Sequence, residues 1–237
     1  MAASVIFLPE RLDPHAIEAM RAQLAKASHA DAVVFEGAPN RFCVGMDLTK
    51  TAAPGAAGSD DLRHALESFA FLVEEILNAP RPTLAVVDGP ALGGGLGLAA
   101  ACDFVLATEQ ARFGLPEALY GLTPAIIRSA LMTRLTAQKL NMLLFTCHSR
   151  EPADAQALGL VDRIVPQDQV ETAKREIVRQ FRRARSDTVI AVRRWNAAAF
   201  TEALRAGTLE TNAALSDENV ILALRAAGAD EDLPWSK

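Results

Sequence analysis

The stretch Asp88-Gly89-Pro90-Ala91-Leu92-Gly93-Gly94-Gly95-Leu96-Gly97 constrains the fold of this chain more than any other. It joins the apolar run Thr83 to Val87, read as a buried strand, to an apolar helical segment, Leu98 to Cys102. A strand, a glycine-rich turn and a helix start leave backbone N–H groups bare, aimed by the positive end of a helix dipole. That geometry binds negative charge, and two readings fit it. Gly95 to Ala100 matches the dinucleotide pattern GxGxxA, and Glu117 lies 20 residues beyond Gly97. Against this, ten residues separate Val87 from Leu98, where a dinucleotide turn is tight. Glu117 also follows Phe113-Gly114-Leu115-Pro116, not a strongly hydrophobic strand. The other reading is an oxyanion hole.

The rest of the chain alternates. Ser4 to Leu8, Ala32 to Glu36, Phe104 to Ala107, Ala111 to Leu115 and Leu160 to Val165 read as strands. Helices are predicted from Asp13-Pro14 to about Ser28, over 61–77, and near 124–135, 137–146 and 152–158. Thr51 to Asp60, rich in Ala, Gly and Pro, reads as a mobile surface loop. From Asp168 onward everything is helical, so the expectation is α/β, with a core over 1–167 and a helical C-terminal region over 168–237. The 237 residues, 50% apolar and 22% charged, suit a globular enzyme-sized domain. No apolar run approaches the ~20 residues of a membrane span, and the N-terminus lacks a basic region ahead of its apolar patch. Three scattered cysteines (Cys43, Cys102, Cys147) form no metal-ligand cluster, so no metal, no membrane and a cytoplasmic location are expected.

Net charge is −5, yet Lys174 to Arg194 carries a local sum of +6 and leaves −11 to the remainder. This segment is either a solvated helix face or a contact for nucleotide phosphates or an acidic carrier protein. Nucleic acid is not expected, with one Tyr and two Trp for stacking.

Arg41-Phe42-Cys43-Val44-Gly45-Met46-Asp47-Leu48 and Asp88 to Gly95 resemble the two signatures of the crotonase superfamily of enoyl-CoA hydratases and isomerases. Cys102-Asp103-Phe104, Phe113 to Glu117 and Ala157 to Asp162 follow in the family's order. The resemblance implies the crotonase (ClpP-like) ββα spiral core, with C-terminal helices that form a homotrimer or hexamer. It implies that Phe200, Leu204, Leu209 and Leu215 pack against a neighbouring subunit. It implies an oxyanion hole from the backbone N–H groups of Met46 and Gly94, and a substrate that is an acyl thioester on coenzyme A or on the phosphopantetheine of an acyl carrier protein. No further cofactor is implied.

Hydratases of the family carry two glutamates, at the positions of Gly97 and Glu117 here, so a single acid/base residue, Glu117, is expected. A lone carboxylate suits dehydration or isomerisation. Gly94 to Leu98 and Glu117 to Ala125 resemble the dehydratase of polyketide β-branching, which acts on a 3-hydroxy-3-methylglutaryl group held by a carrier protein. A Δ3,Δ2-enoyl-CoA isomerase is the alternative, and a non-catalytic binding protein a third. Gly97, Tyr120 and Arg128 are the pocket candidates, Gly97 by making room for a branched acyl group and Arg128 by pairing with a substrate carboxylate.

Overall fold

A computed structural model describes residues 3–46 and 60–229. Asp47, Leu48 and the segment expected to be a loop over 51–59 lie outside the described residues.

Five strands form one parallel sheet: β1 (Ser4–Phe7), β2 (Val33–Glu36), β3 (Thr83–Val87), β5 (Phe104–Thr108) and β7 (Arg163–Val165), side by side in that order. A parallel sheet is covered on both faces, which is why all five residues of β3 are buried. Alternate side chains feed two separate cores. Val33, Phe35, Ala85, Val87 and Val105 point into the main one. Val34, Leu84, Val86 and Leu106 point the other way, onto Val170, Ala173 and Ile177 of helix α7 (Val170–Phe181).

A second, smaller sheet positions the site. β4 (Pro90–Leu92) pairs in parallel with β6 (Arg112–Gly114), with Ala91 opposite Phe113. Cys43 bridges in parallel to Ala91 on the other side. Three adjacent segments therefore run in one direction and deliver their next residues to the same end. Asp88 ties them at their start. It accepts from Asn40 N–H (2.9 Å), Thr108 Oγ1 (2.8 Å) and Gln167 Nε2 (2.6 Å).

Helix α1 (Pro14–Lys26) opens as expected, with Asp13 accepting from Ala16 N–H and proline at the first turn. α2 (Asp60–Leu77) lies across α1. α3 (Gly94–Ala101) corrects the sequence reading, which put the helix start at Leu98 and a turn over the glycines. The helix begins at Gly94, and Pro90–Leu92 is a strand. Each helical glycine costs roughly 1 kcal/mol against alanine. Burial offsets that cost: all eight residues of α3 are buried, and a methyl on Gly95 would run into Cys43 O.

α4 (Ala125–Leu131), α5 (Ala137–Thr146) and α6 (Pro152–Leu158) follow, then α7. α8 (Ser186–Ala214) and α9 (Glu218–Gly228) form the tail. The sequence sent this tail to a neighbouring subunit. Instead, α8 packs along α2 and α4 of its own chain, burying Leu204 and leading into buried Leu215. Of the four apolar residues assigned to a partner, Leu209 is 72% exposed and Phe200 is half-buried. Arg193 pins α8 down by donating to Ile76 O and Leu77 O (2.8 Å each), Arg81 O (3.2 Å) and Asp103 Oδ2 (2.6 Å). A guanidinium at the last carbonyls of α2 satisfies groups that the helix leaves open.

Candidate active site

The three parallel segments end at one cavity of about 190 Å³. Counting on from the paired residues Cys43, Ala91 and Phe113 leads to Met46, Gly94 and Glu117, and all three line it. Two backbone approaches set the spacing. Gly45 has φ +83°, and a Cβ there would lie 2.8 Å from Gly94 N. Only a residue without a side chain lets the segment carrying Met46 come this close to the start of α3. Gly93, with φ +51°, abuts the other wall, and a methyl on it would strike Glu117 Oε1. Gly94 N–H is the first of α3, where helical geometry provides no partner.

Glu117 opens a single helical turn, Glu117–Tyr120, that closes on Gly121 in the left-handed region (φ +71°). The turn holds through Leu122 N–H to Glu117 O (3.0 Å). The carboxyl is 9% exposed, and Oε2 has no hydrogen-bond partner among the described residues. Burial pushes its pKa up to about 7. The nearby Cys147 thiol is also pushed up, by burial and then by the charge of Glu117. The remaining wall is mostly aliphatic, with Leu66, Phe69, Ile127, Leu215 and Leu224 prominent. A buried carboxyl near neutrality beside two backbone amides in an apolar cleft can move a proton and hold a developing anion.

Tyr120 lines the cavity, as expected of a pocket candidate, while packing against the core. Gly97 and Arg128 are corrections. Gly97 is not on the wall: its missing side chain faces Ile127, whose Cγ1 and Cγ2 would lie 3.3 Å from a Cβ. The space left by the glycine is filled by the protein, not kept for substrate. Arg128 is exposed on the outer side of α4, one residue beyond Ile127. The basic residue on the wall among those described is Arg11. It arrives because the 10–12 segment pairs with 44–46, through Val44 N–H to Glu10 O (2.8 Å) and Leu12 N–H to Gly45 O (2.9 Å). Nothing local in Pro9-Glu10-Arg11-Leu12 announces that pairing. Leu215 was assigned to a neighbouring subunit and Leu224 escaped notice, because their apolar spacing is that of any packed helix.

The acidic residues of the remaining motifs tie the fold together. Asp103 accepts from Thr83 N–H (2.7 Å), and Asp162 from Val105 N–H (2.7 Å) and Arg134 (3.0 Å). Half of the basic segment's eight cations are held in ion pairs: Lys174 with Glu36, Arg182 with Asp31, Arg185 with Asp187 and Arg193 with Asp103. Arg182 to Arg185 precede α8, whereas Thr211, near its other end, lines the cavity. At 1.5 Å per residue the two ends are roughly 39 Å apart. Among the described residues no group of His, Cys, Asp and Glu could hold a metal ion, and no helix is long and apolar enough to cross a membrane.

Comparison with known proteins gives a consistent picture. The enoyl-CoA hydratase/isomerase family model matches residues 12–219. A protein assigned as an enoyl-CoA hydratase in Thermus thermophilus is 36% identical over 172 residues, which are 69% of this chain and 68% of that one. The crystal structure of an enoyl-CoA hydratase/isomerase from Xanthobacter autotrophicus superposes with a TM-score of 0.83 at 27% identity, covering 95% of this chain and 89% of that one. A protein assigned as a polyketide biosynthesis enoyl-CoA hydratase in Bacillus subtilis superposes with a TM-score of 0.88 at 20% identity, covering 98% and 95%, a likeness of fold.

Proposed function

The chain belongs to the enoyl-CoA hydratase/isomerase family, and on that premise we propose that it is a lyase acting on acyl thioesters through an enolate, with Glu117 as its single acid/base residue. The reaction is dehydration of a 3-hydroxy-3-methylglutaryl group on an acyl carrier protein. The observation that carries this reading is that Glu117 is the one carboxylate on the cavity wall among the described residues, a wall it shares with Met46 and Gly94.

In this mechanism the thioester oxygen accepts from the N–H groups of Met46 and Gly94. Each donor lowers the barrier by about 3 kcal/mol, because the hydrogen bond strengthens as the oxygen gains charge. The dipole of α3 points its positive end at the same oxygen. Glu117 takes the α-proton and its C–H electron pair forms the enolate. The enolate collapses to a Cα–Cβ double bond as the β C–O bond breaks. The proton on Glu117 passes to the departing hydroxyl, so water leaves and the carboxylate is restored. Aliphatic walls keep other water from the enolate. Arg11 is the cation on the cavity wall among the described residues, in the place offered earlier to Arg128.

A second reading, Δ3,Δ2-enoyl-CoA isomerisation, draws on the same apolar wall, since a plain hydrocarbon chain needs no cation. Mass spectrometry of carrier-bound substrate separates the two. Loss of one water from 3-hydroxy-3-methylglutaryl-carrier protein supports dehydration. Conversion of a 3-enoyl to a 2-enoyl thioester, with the hydroxy substrate untouched, overturns it in favour of isomerisation.

A further inference from the structure

We infer that Ile127 is a specificity-determining residue: seated in the notch left by Gly97, it forms the wall that limits the acyl chain and selects short or branched acyl groups over long straight ones. The inference rests on the reading of the cavity as an acyl site. Three observations carry it. Ile127 lines the cavity and Gly97 does not. A Cβ at residue 97 would stand 3.3 Å from both Cγ1 and Cγ2 of Ile127, so the isoleucine side chain sits directly over the bare face of that glycine. The backbone beneath it is held from the far side by α8. A Cβ on Gly207 would lie 2.7 Å from Ala125 C and O, so that glycine brings α8 directly against the first turn of α4. Ile127 therefore sits against Gly97 of α3 on a helix whose first turn is held in place by α8. Its bulk sets the boundary.

Two substitutions should move that boundary in opposite directions. Ile127→Ala opens the cavity into the notch. Gly97→Ala pushes Ile127 toward the acyl group by a few tenths of an ångström, and alanine suits the helix better than glycine. The test measures binding of butanoyl- and octanoyl-coenzyme A by calorimetry, with no turnover required. The parent should favour the shorter chain. Ile127→Ala should shift the ratio of the two Kd values toward octanoyl by about tenfold, the low end of what one methylene is worth in an apolar pocket. Gly97→Ala should shift it the other way, and the double variant should fall between them. Ile127→Val, a smaller change, gives a partial shift should the alanine variant fold poorly. A Kd ratio unchanged in the Ile127 variants overturns the inference. Failure of both thioesters to bind the parent overturns it too, by removing the acyl site. Activity retained in Glu117→Gln would instead sink the proposed mechanism and leave the binding ratios as they are.

Discussion

Glu117 owes its chemistry to what it lacks: solvent, and a hydrogen-bond partner for Oε2 among the described residues. Its pKa of about 7 places the carboxylate on the rising limb of a pH profile. Below that value kcat/KM should fall about tenfold per pH unit, and above it level off. Stability should run the opposite way. A folded-state pKa above the ordinary 4.5 means that burial favours the neutral acid, so its contribution is complete below 4.5 and is lost as pH rises through about 7. The loss is worth roughly 3 kcal/mol. Glu117→Gln cannot ionise, so urea titrations at pH 5 and pH 8 should give it a smaller decline than the parent. Position 117 was legible in the sequence because Phe113 to Glu117 sits in order with four other motifs. The pKa was not, since it depends on walls supplied by α2, α4, α8 and α9.

At the scale of elements, the site depends on glycines that bring backbones together. Gly45→Ala would force a side chain into the left-handed region and against Gly94 N, parting the two amides. The variant should lose about 1–3 kcal/mol of stability from backbone strain, read by thermal melting. At a temperature where it remains folded, kcat should fall by about 100-fold or more, the scale of a lost oxyanion donor. The five strands of the main sheet and helices α5 and α6 were readable in the sequence, but strand Pro90–Leu92 was not. The start of α3 was misread because glycine propensity argues for a turn, while close packing on Cys43 O makes the same glycines helical. Gly97 was misjudged for a related reason. A bare residue reads as empty space until the structure shows Ile127 occupying it.

Across the whole molecule, α8 spans from the arginine cluster to the cavity. Its first turn meets the arginine cluster, and its last turns close the cavity. Arg182 and Arg185 are already paired with Asp31 and Asp187, and charges this exposed are screened within ~8–10 Å at physiological ionic strength. Reversing Arg182, Arg183 and Arg185 to Glu should therefore leave the second-order rate constant with carrier-bound substrate unchanged at both low and high salt. A salt-sensitive drop would place the carrier on that surface after all. Arg193→Ala should act differently. It removes donors to Ile76 O, Leu77 O and Arg81 O and a pair with Asp103, so the chain should lose about 2–4 kcal/mol. The basic run was visible in the sequence, but its ion partners come from β2, the segment before β2, and the residue before β5, which no local pattern reveals.

Exchange of the α-proton tests the single-carboxylate account most directly. In deuterium oxide, a saturated acyl thioester that cannot eliminate should take up deuterium at C2 in the presence of the parent protein, followed by proton NMR. Glu117→Gln should slow that uptake by about 100-fold or more while binding the same thioester with similar affinity. Uptake at the parent rate in Glu117→Gln would show that another group moves the proton, and the account built on Glu117 would be wrong.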